Sequence, residues 1–317
     1  MNPQETILAL AEHVKSAVTP HLGTWRARRV TGIASSGDAT FDIDDIAENA
    51  VEDFIKEREM NVAYYSEDRG LVHPFPDKEA EGILIIDPID GTRGAIAGFE
   101  ACVVSVAWTE FKPEPTLGDV QYAAITEIKG NLSFCAERGR GVQIMDGERN
   151  LISPKLSTNS DLGTMAWCME CVGAPLDLLM SAIKDVANPT TVRGGFFILN
   201  SSAYELTRLI TGQLSGVVDV RNRLLKDFPE TRPLFEQFGG GRLLSLYGYD
   251  VAGAALIVQE AGCIMTDAWG RELSNWKLLD TTEHNFGSML ASSNSQLHGK
   301  LLEGVNKGFL DYGSRRV

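Results

Sequence analysis

The chain has 317 residues, of which 44% are apolar and 23% charged, as is ordinary for a folded globular protein. Its formal net charge of −14 argues against non-specific binding to nucleic acid, which needs a basic surface. No apolar run reaches the length of a membrane-spanning helix, and the N-terminus lacks the basic segment of a secretory signal. We therefore expect a cytoplasmic protein with no nucleic-acid or membrane partner.

In the first half of the chain, the spacing of apolar residues predicts two helices followed by a largely antiparallel sheet. The helices are predicted over residues 4–18 and 44–58. The predicted strands are residues 62–65, 83–86, 101–108, 122–128, 131–136 and 141–145. The run from Ile83 to Ile86 is entirely apolar, which is typical of a strand buried on both faces.

In the second half, strands and helices alternate, which predicts an α/β arrangement. The strands are residues 165–171, 217–220 and 288–292, and the helices are residues 176–184, 201–211 and 251–261. We place the boundary near residue 152, between an N-terminal α+β sub-domain (1–152) and a C-terminal α/β sub-domain (153–317). Residues 221–245 contain two prolines and three consecutive glycines, and we expect them to form a mobile insertion.

Acidic side chains stand at the ends of three of these elements. Asp87 and Asp90 directly follow a buried strand, Glu67 follows another, and Asp250 opens a helix. Because Pro88 fixes the backbone, Asp87 and Asp90 can converge on one point beyond the strand. A hard cation such as Mg²⁺ would remove the free-energy penalty of burying such carboxylates together. Taken singly, each acid has a structural alternative, such as a turn or a helix cap.

The motifs DPIDGT (residues 87–92) and YDVAGA (residues 249–254), in this order and far apart, form a specific pattern. The chain also contains Ser66-Glu67-Asp68, the acidic segment from Asp38 to Glu48, and the glycine-rich stretch from Glu137 to Gly141. Over roughly residues 35–295 it resembles the inositol monophosphatase family. That family belongs to the lithium-sensitive, magnesium-dependent phosphatases, together with fructose-1,6-bisphosphatase. The resemblance implies a five-layer α-β-α-β-α sandwich, a phosphoric monoester hydrolase and a homodimer.

The resemblance also implies a binding site for two or three Mg²⁺ ions and a phosphate. One ion would be held by Glu67, Asp87 and the carbonyl of Ile89, and another by Asp87, Asp90 and Asp250. The backbone N–H groups of Gly91 and Thr92 would bind the phosphate. Asp44 and Thr92, together with Glu67, would orient and activate the attacking water, with no covalent phosphoenzyme.

On the substrate side, the resemblance assigns a short turn and the segment after the next strand to binding the polyol or sugar. The residues concerned are Ser201, Ser202, Ala203, Asp219 and Arg221. Arg221 could reach a second phosphate, because guanidinium pairs well with phosphate oxygens. Four of them also have a structural alternative: the two serines could cap a helix, and Asp219 and Arg221 could be surface charges.

Three departures from the family pattern bear on the substrate. Gly94-Ala95 replaces the usual Asn-Phe, Tyr249 replaces a tryptophan, and the 221–245 insertion is present. The sequence VVDVRNRL (residues 217–224) resembles the archaeal branch, whose members often cleave both inositol phosphates and fructose 1,6-bisphosphate. We therefore expect Mg²⁺-dependent hydrolysis of inositol monophosphate. The alternatives are fructose-1,6-bisphosphatase or dual activity, a 3′-phosphoadenosine phosphatase, and a regulatory binding protein of the same fold.

Overall fold

The structure is a computed structural model that describes residues 2–24, 29–34 and 39–314. Asp38, named above in the early acidic segment, lies outside the described residues. The elements of the first half are α1 (Pro3–Val18), β1 (Val30–Ile33), β2 (Ala39–Phe41), α2 (Asp42–Glu57), β3 (Ala63–Ser66), β4 (Gly70–Val72), β5 (Gly82–Asp90), α3 (Thr92–Ala97), β6 (Val103–Glu110), β7 (Tyr122–Glu127), β8 (Ser133–Glu137), β9 (Gly141–Met145) and β10 (Leu151–Ile152).

The second half alternates between helices and strands, as the sequence predicts. Its elements are β11 (Ala166–Met169), α4 (Leu176–Arg193), β12 (Gly195–Phe197), α5 (Ser202–Thr211), β13 (Gly216–Asp219), α6 (Arg221–Asp227), α7 (Arg232–Phe238), α8 (Gly248–Glu260), β14 (Ile264–Thr266), β15 (Met289–Ser292) and α9 (Ser295–Ser314). Between the limits of the described ranges, no helix is long and apolar enough to cross a membrane.

Two large sheets form the framework of the molecule. The first has eight strands in the order β10-β9-β8-β7-β6-β5-β3-β4, with β3 and β5 parallel and the other neighbouring pairs antiparallel. The second has five strands in the order β12-β11-β13-β15-β14. Each sheet therefore draws its strands from one half of the chain, while the division into sub-domains at residue 152 stays a prediction.

The helices cover these sheets in layers. Helices α1 and α2 pack on one face of the eight-stranded sheet, and α5 and α8 lie between the two sheets. Helices α4 and α9 cover the outer face of the five-stranded sheet. Helix α8 is buried on all sides from Val251 to Val258, because it contacts a sheet on either side. The order α-β-α-β-α confirms the five-layer sandwich expected from the sequence.

The structure differs from the sequence-based expectation at several elements, among them β5, α4 and α9. Strand β5 continues through both acids to Asp90 instead of ending before them, because its partner β6 pairs with it as far as Val103. Helix α4 continues through Pro189 to Arg193, nine residues beyond the predicted end. Helix α9 was not predicted, although Leu297, Leu301 and further residues of one face are buried.

The 221–245 segment was expected to be a mobile insertion, but it contains helices α6 and α7. Its prolines do not interrupt these helices: Pro229 opens a short 3₁₀ turn and Pro233 stands in the first turn of α7, where a missing N–H group is tolerated. Phe235 of α7 is fully buried. The segment is therefore packed against the core rather than projecting from it.

Candidate active site

The acidic pair that follows the apolar run lies at the end of strand β5. The strand is buried along its whole length, and its pairing with β6 is irregular between Asp87 and Asp90. This irregularity breaks the alternation of side chains between the two faces, so that both carboxylates line the same pocket. The convergence expected from the sequence is thereby present.

Asp90 is anchored by the first turn of helix α5. Its Oδ2 atom accepts hydrogen bonds from the Ser201 hydroxyl (2.7 Å) and from the backbone N–H groups of Ala203 (2.7 Å) and Tyr204 (3.2 Å). Burial raises the pKa of Asp90 to about 6, while these donors act in the opposite direction because they stabilise the charged form. The bonds join the two halves of the chain at the pocket.

Asp87 and Asp250 each accept fewer hydrogen bonds than Asp90 and are repelled by neighbouring carboxylates. Burial and the charge of Asp90 raise the pKa of Asp87 well above its ordinary value. Burial and the charge of Glu67 do the same to the pKa of Asp250. Asp250 is held by a hydrogen bond from the Tyr247 N–H to its Oδ2 atom, at the third position of helix α8. Glu67, Asp87, Asp90 and Asp250 line the same pocket, which is why their charges repel one another.

All five predicted metal-ligating residues line one pocket of about 120 Å³. They are Glu67, Asp87, Ile89, Asp90 and Asp250. Among the described residues, no three acidic, histidine or cysteine side chains lie close enough together to hold a metal ion as they stand. The donor set nevertheless fits a hard cation, because oxygen ligands are what Mg²⁺ prefers and positive charge would relieve the repulsion.

The predicted pair of Asp44 and Thr92 is in contact. The Thr92 hydroxyl lies 3.1 Å from Asp44 Oδ1 and 3.0 Å from the Ile89 carbonyl oxygen, so its single hydrogen can be donated to either acceptor. The other oxygen of Asp44 accepts the Phe41 N–H (2.7 Å) at the start of helix α2. Burial raises the pKa of Asp44 to about 7.

Gly91 fixes the backbone between Asp90 and helix α3. Its φ of +89° lies in the left-handed region, and a Cβ atom there would stand 2.4 Å from the Ala101 carbonyl oxygen and 2.8 Å from the Ser201 Cβ atom. Glycine therefore allows the close approach of three segments. It also brings the first N–H groups of α3 to the pocket, where an anion could bind.

Sequence reasoning missed Glu170, which lines the pocket just after strand β11. Its Oε1 atom accepts the hydroxyl of Ser202 (3.1 Å), and the residue is 3% exposed. Burial raises the pKa of Glu170 to about 7, against the opposing effect of Arg221. Glu205, fully buried behind it, has its pKa raised well above the usual range by burial and by the charge of Glu170. Neither acid belongs to a motif that we recognised.

The predicted substrate residues divide into two groups. Ser202 and Arg221 line the pocket, whereas Ser201, Ala203 and Asp219 do not. Ser201 was expected to contact the substrate or to cap a helix, but its hydroxyl binds Asp90, and Ala203 offers its N–H group to the same acid. These two residues therefore position a pocket residue.

Asp219 and Arg221 form a buried ion pair. Asp219 is completely buried, and its Oδ2 atom lies 2.6 Å from Arg221 Nη2. Arg221 Nη1 also donates to the Val172 carbonyl oxygen (2.9 Å). Neither residue is the surface charge that was the alternative, and Asp219 does not line the pocket. The charge of Arg221 at the pocket is largely compensated by Asp219.

A row of aromatic rings leads away from the pocket along the start of helix α8. Tyr249 lines the pocket, and its ring lies 5.5 Å from that of Tyr247, centroid to centroid, with an angle of 13° between the planes. The ring of Tyr247 lies 5.3 Å from that of Phe286. Such separations are those of rings in direct contact.

Comparisons with known proteins agree with this fold and pocket. The chain is 26% identical over 298 residues to a fructose-1,6-bisphosphatase/inositol-1-monophosphatase of Methanothermobacter thermautotrophicus. The aligned region covers 93% of each chain. It is 25% identical to a bifunctional NADP phosphatase/NAD kinase of Methanococcus maripaludis, covering 95% of this chain and 49% of that one. The solved structure of a Thermotoga maritima IMPase superposes with a TM-score of 0.68 at 20% identity, covering 98% of this chain and all of the other.

These findings confirm the expected enzyme class, a phosphoric monoester hydrolase. A family model described as the inositol monophosphatase family matches residues 4–308. The chain belongs to the inositol monophosphatase family. The family is generally metal-dependent, which agrees with the oxygen-rich pocket.

Proposed function

We propose that this protein hydrolyses a phosphate monoester of a small polyol or sugar with the help of Mg²⁺. The observation that carries the proposal is the meeting of Glu67, Asp87, Asp90 and Asp250 in one pocket beside the first turn of helix α3. Alone, these acids would repel a phosphate group. Their chemistry therefore supports a site in which cations and the phosphate bind together.

The residues that would hold Mg²⁺ are the four acids and the carbonyl group of Ile89, with two or three ions in all. Bound there, the cations would supply Lewis-acid stabilisation of the phosphate and a more acidic water. The chain itself contributes the N–H groups of Gly91 and Thr92 at the start of α3, which would donate to the phosphate oxygens.

The Thr92 hydroxyl is suited to orient the attacking water. When its hydrogen is donated to Asp44, its lone pairs face the pocket and can accept a hydrogen bond from that water. The buried carboxylate of Asp44 holds the hydroxyl in this orientation. Glu67 lines both the pocket and an adjoining cavity of about 40 Å³ beside Asp44, which supports its expected role near the same water.

The polyol or sugar would bind on the side formed by helix α5 and strand β11. Ser202 and Glu170 present a hydroxyl and a carboxyl group that can exchange hydrogen bonds with substrate hydroxyls. Inositol monophosphate is the first candidate substrate. Fructose 1,6-bisphosphate is the second, because the relative from Methanothermobacter carries both names.

The test is a phosphate-release assay with Mg²⁺ over inositol monophosphate, fructose 1,6-bisphosphate, NADP and adenosine 3′,5′-bisphosphate, with and without lithium. NADP is included because of the name of the relative from Methanococcus. We expect turnover of one of the first two substrates, dependence on Mg²⁺ and inhibition by lithium. No release above the background of the Asp90→Asn variant, on any of the four, would favour the regulatory alternative instead. The expected homodimer stays a prediction, which sedimentation would test.

A further inference from the structure

The side of the acidic pocket that would bind the polyol or sugar is formed by three polar residues of the C-terminal half. Glu170 follows strand β11, and Asn200 and Ser202 stand at the start of helix α5. We call these three residues the substrate wall. Their polar atoms select among substrates, because a substrate group that leaves such an atom without a partner binds less well.

Glu170 is backed by a second acid, Glu205, which is completely buried. The Oε1 atom of Glu205 accepts the Leu199 N–H (3.3 Å). Burial and the charge of Glu170 raise the pKa of Glu205 well above its usual range, so Glu205 keeps its proton. Burial raises the pKa of Glu170 only to about 7. Above that pH, Glu170 is therefore the member of the pair that carries a negative charge.

Arg221, the cation beside the substrate wall, is already paired with Asp219. Its Nε and Nη2 atoms donate to the Asp219 carboxylate (3.1 and 2.6 Å), and its Nη1 atom donates to the Val172 carbonyl oxygen (2.9 Å). The other cation that lines the pocket, Arg93, belongs to helix α3 on the side of the phosphate. Since Asp219 compensates the charge of Arg221, the charge of Glu170 is left in excess.

Asn200 adds a neutral acceptor to the same wall. The residue is half-buried and lines the pocket. Its Oδ1 atom accepts a weak hydrogen bond from the Cys171 thiol, with 3.8 Å between sulfur and oxygen. Its backbone φ of +55° lies in the left-handed region, which asparagine tolerates better than most residues. A stronger donor than the thiol would therefore find an acceptor in the same pocket as Glu170.

From these contacts we infer that the substrate is a phosphate monoester that carries an ammonium group, as in an amino sugar phosphate. The ammonium group would donate hydrogen bonds to Glu170 and to Asn200 Oδ1, and its charge would compensate the excess negative charge of the wall. A second phosphate in the same place would be repelled by Glu170. The inference rests on the hydrolysis proposed above and narrows its polyol or sugar to one that bears an amino group.

Matched sugar phosphates test this inference by turnover. The values of kcat/KM would be measured with Mg²⁺ at about pH 7.5 for glucosamine 6-phosphate, glucose 6-phosphate and N-acetylglucosamine 6-phosphate. The three differ only at one ring carbon, which carries an ammonium group, a hydroxyl or a neutral amide. We expect the amine to exceed both neutral sugars by at least about tenfold. No such preference, in a protein that hydrolyses para-nitrophenyl phosphate, would overturn the inference.

The matched variants are Glu170→Gln, Asn200→Gly and Asp77→Asn. Glu170→Gln should reduce the preference for the amine to about one, because it removes the charge. Asn200→Gly removes the acceptor but keeps the left-handed backbone, and it should reduce the preference in part. Asp77→Asn makes the same change of charge at an exposed loop position and should leave the preference as it is. Circular dichroism would verify folding, and a preference that survives Glu170→Gln would also overturn the inference.

Binding of sulfate esters separates this inference from the proposed hydrolysis. Glucosamine 6-sulfate and glucose 6-sulfate resemble the two substrates but contain no phosphate to release. Calorimetry with Mg²⁺ should show at least about tenfold tighter binding of the amine. Tighter binding of the amine without hydrolysis of any phosphate ester would refute the hydrolysis and retain the charge selection. Hydrolysis with equal binding of the two sulfates would refute the charge selection alone.

Discussion

Single residues of the acidic pocket differ in how their charge is stabilised. Asp90 has three donors on one oxygen, whereas Asp87 accepts one hydrogen bond, from the Ile89 N–H, on its Oδ1 atom. The pKa of Asp90 is therefore raised less than that of Asp87, although both are buried. Asp90 therefore carries a negative charge into the pocket more readily than Asp87 does.

Asp90→Asn should lower kcat by at least about 100-fold, because the amide removes the charge that a cation requires. The fold should survive, since the amide oxygen can still accept from the α5 donors. Phosphate release with Mg²⁺ and circular dichroism would measure the two effects, with Asp77→Asn, at an exposed loop position, as a control. Turnover at the normal rate would refute the assignment of the site.

Glu170→Gln should slow the hydrolysis of polyol phosphates and leave the hydrolysis of simple phosphate esters nearly unchanged. Gln keeps the shape of Glu170 but cannot offer the same carboxylate to Ser202 and to substrate hydroxyls. We expect kcat/KM to fall about tenfold for the inositol or sugar phosphate and to change little for para-nitrophenyl phosphate. Equal losses on both substrates would indicate a purely structural role.

The sequence predicted residues whose role is local and missed those whose role depends on distant contacts. Asp87, Asp90 and Thr92 stand together in one motif, and Asp44 was assigned through the family pattern. Ser201 was read as a possible helix cap, but its hydroxyl is taken by an acid 111 residues away. Glu170 follows a strand with no distinctive neighbours, so only the fold reveals that it faces Ser202.

At the scale of elements, helices with local sequence signals were predicted, and helices that depend on distant contacts were missed. Helices α1 and α8 were predicted because their apolar spacing and first-turn residues are local signals. The prolines and glycines of residues 221–245 indicated a loop, yet burial of Leu224 and Phe235 supports two short helices there. Tertiary packing thus outweighed local preference.

Helix α9 packs against α4 through a glycine. A Cβ atom at Gly308 would stand 1.9 Å from the Ala182 carbonyl oxygen, whereas at Gly299 of the same helix it would meet nothing within 4 Å. Gly308→Ala should therefore destabilise the protein by about 1–3 kcal/mol, because the two helices must move apart. Gly299→Ala should stabilise it by about 0.5–1 kcal/mol, because alanine favours the helix.

Urea unfolding of both variants beside the wild-type protein would measure these changes. The two substitutions are chemically identical and lie in one helix, so each serves as the control for the other. Equal midpoints for the two variants would contradict the close α4–α9 contact.

At the scale of the whole molecule, buried acids make stability depend on pH. The pKa values of Asp44, Glu48 and Glu170 are each raised to about 7, chiefly by burial. At pH values between the ordinary pKa of these groups and about 7, they bind more protons in the folded chain than in the unfolded chain. The free energy of unfolding should therefore fall as the pH rises through this window.

For the metal-free protein we expect a Tm higher at pH 6.5 than at pH 8.0 by about 2–5 °C. Mg²⁺ should raise the Tm at pH 8.0, because cations bind the charged carboxylates of the folded state. Burial also lowers the pKa of His298, whose ordinary value is about 6.5. This residue destabilises the folded chain only below that pH, so it opposes the increase in stability at low pH only there. Scanning fluorimetry would test this, and a metal-free Tm that rises with pH would contradict it.

The aromatic row from Tyr249 through Tyr247 to Phe286 begins at the acidic pocket and runs away from it. All three side chains are almost fully buried, so there is no free space into which a larger ring could move. A change of ring size in the row should therefore alter the shape of the pocket while leaving its charge as it is.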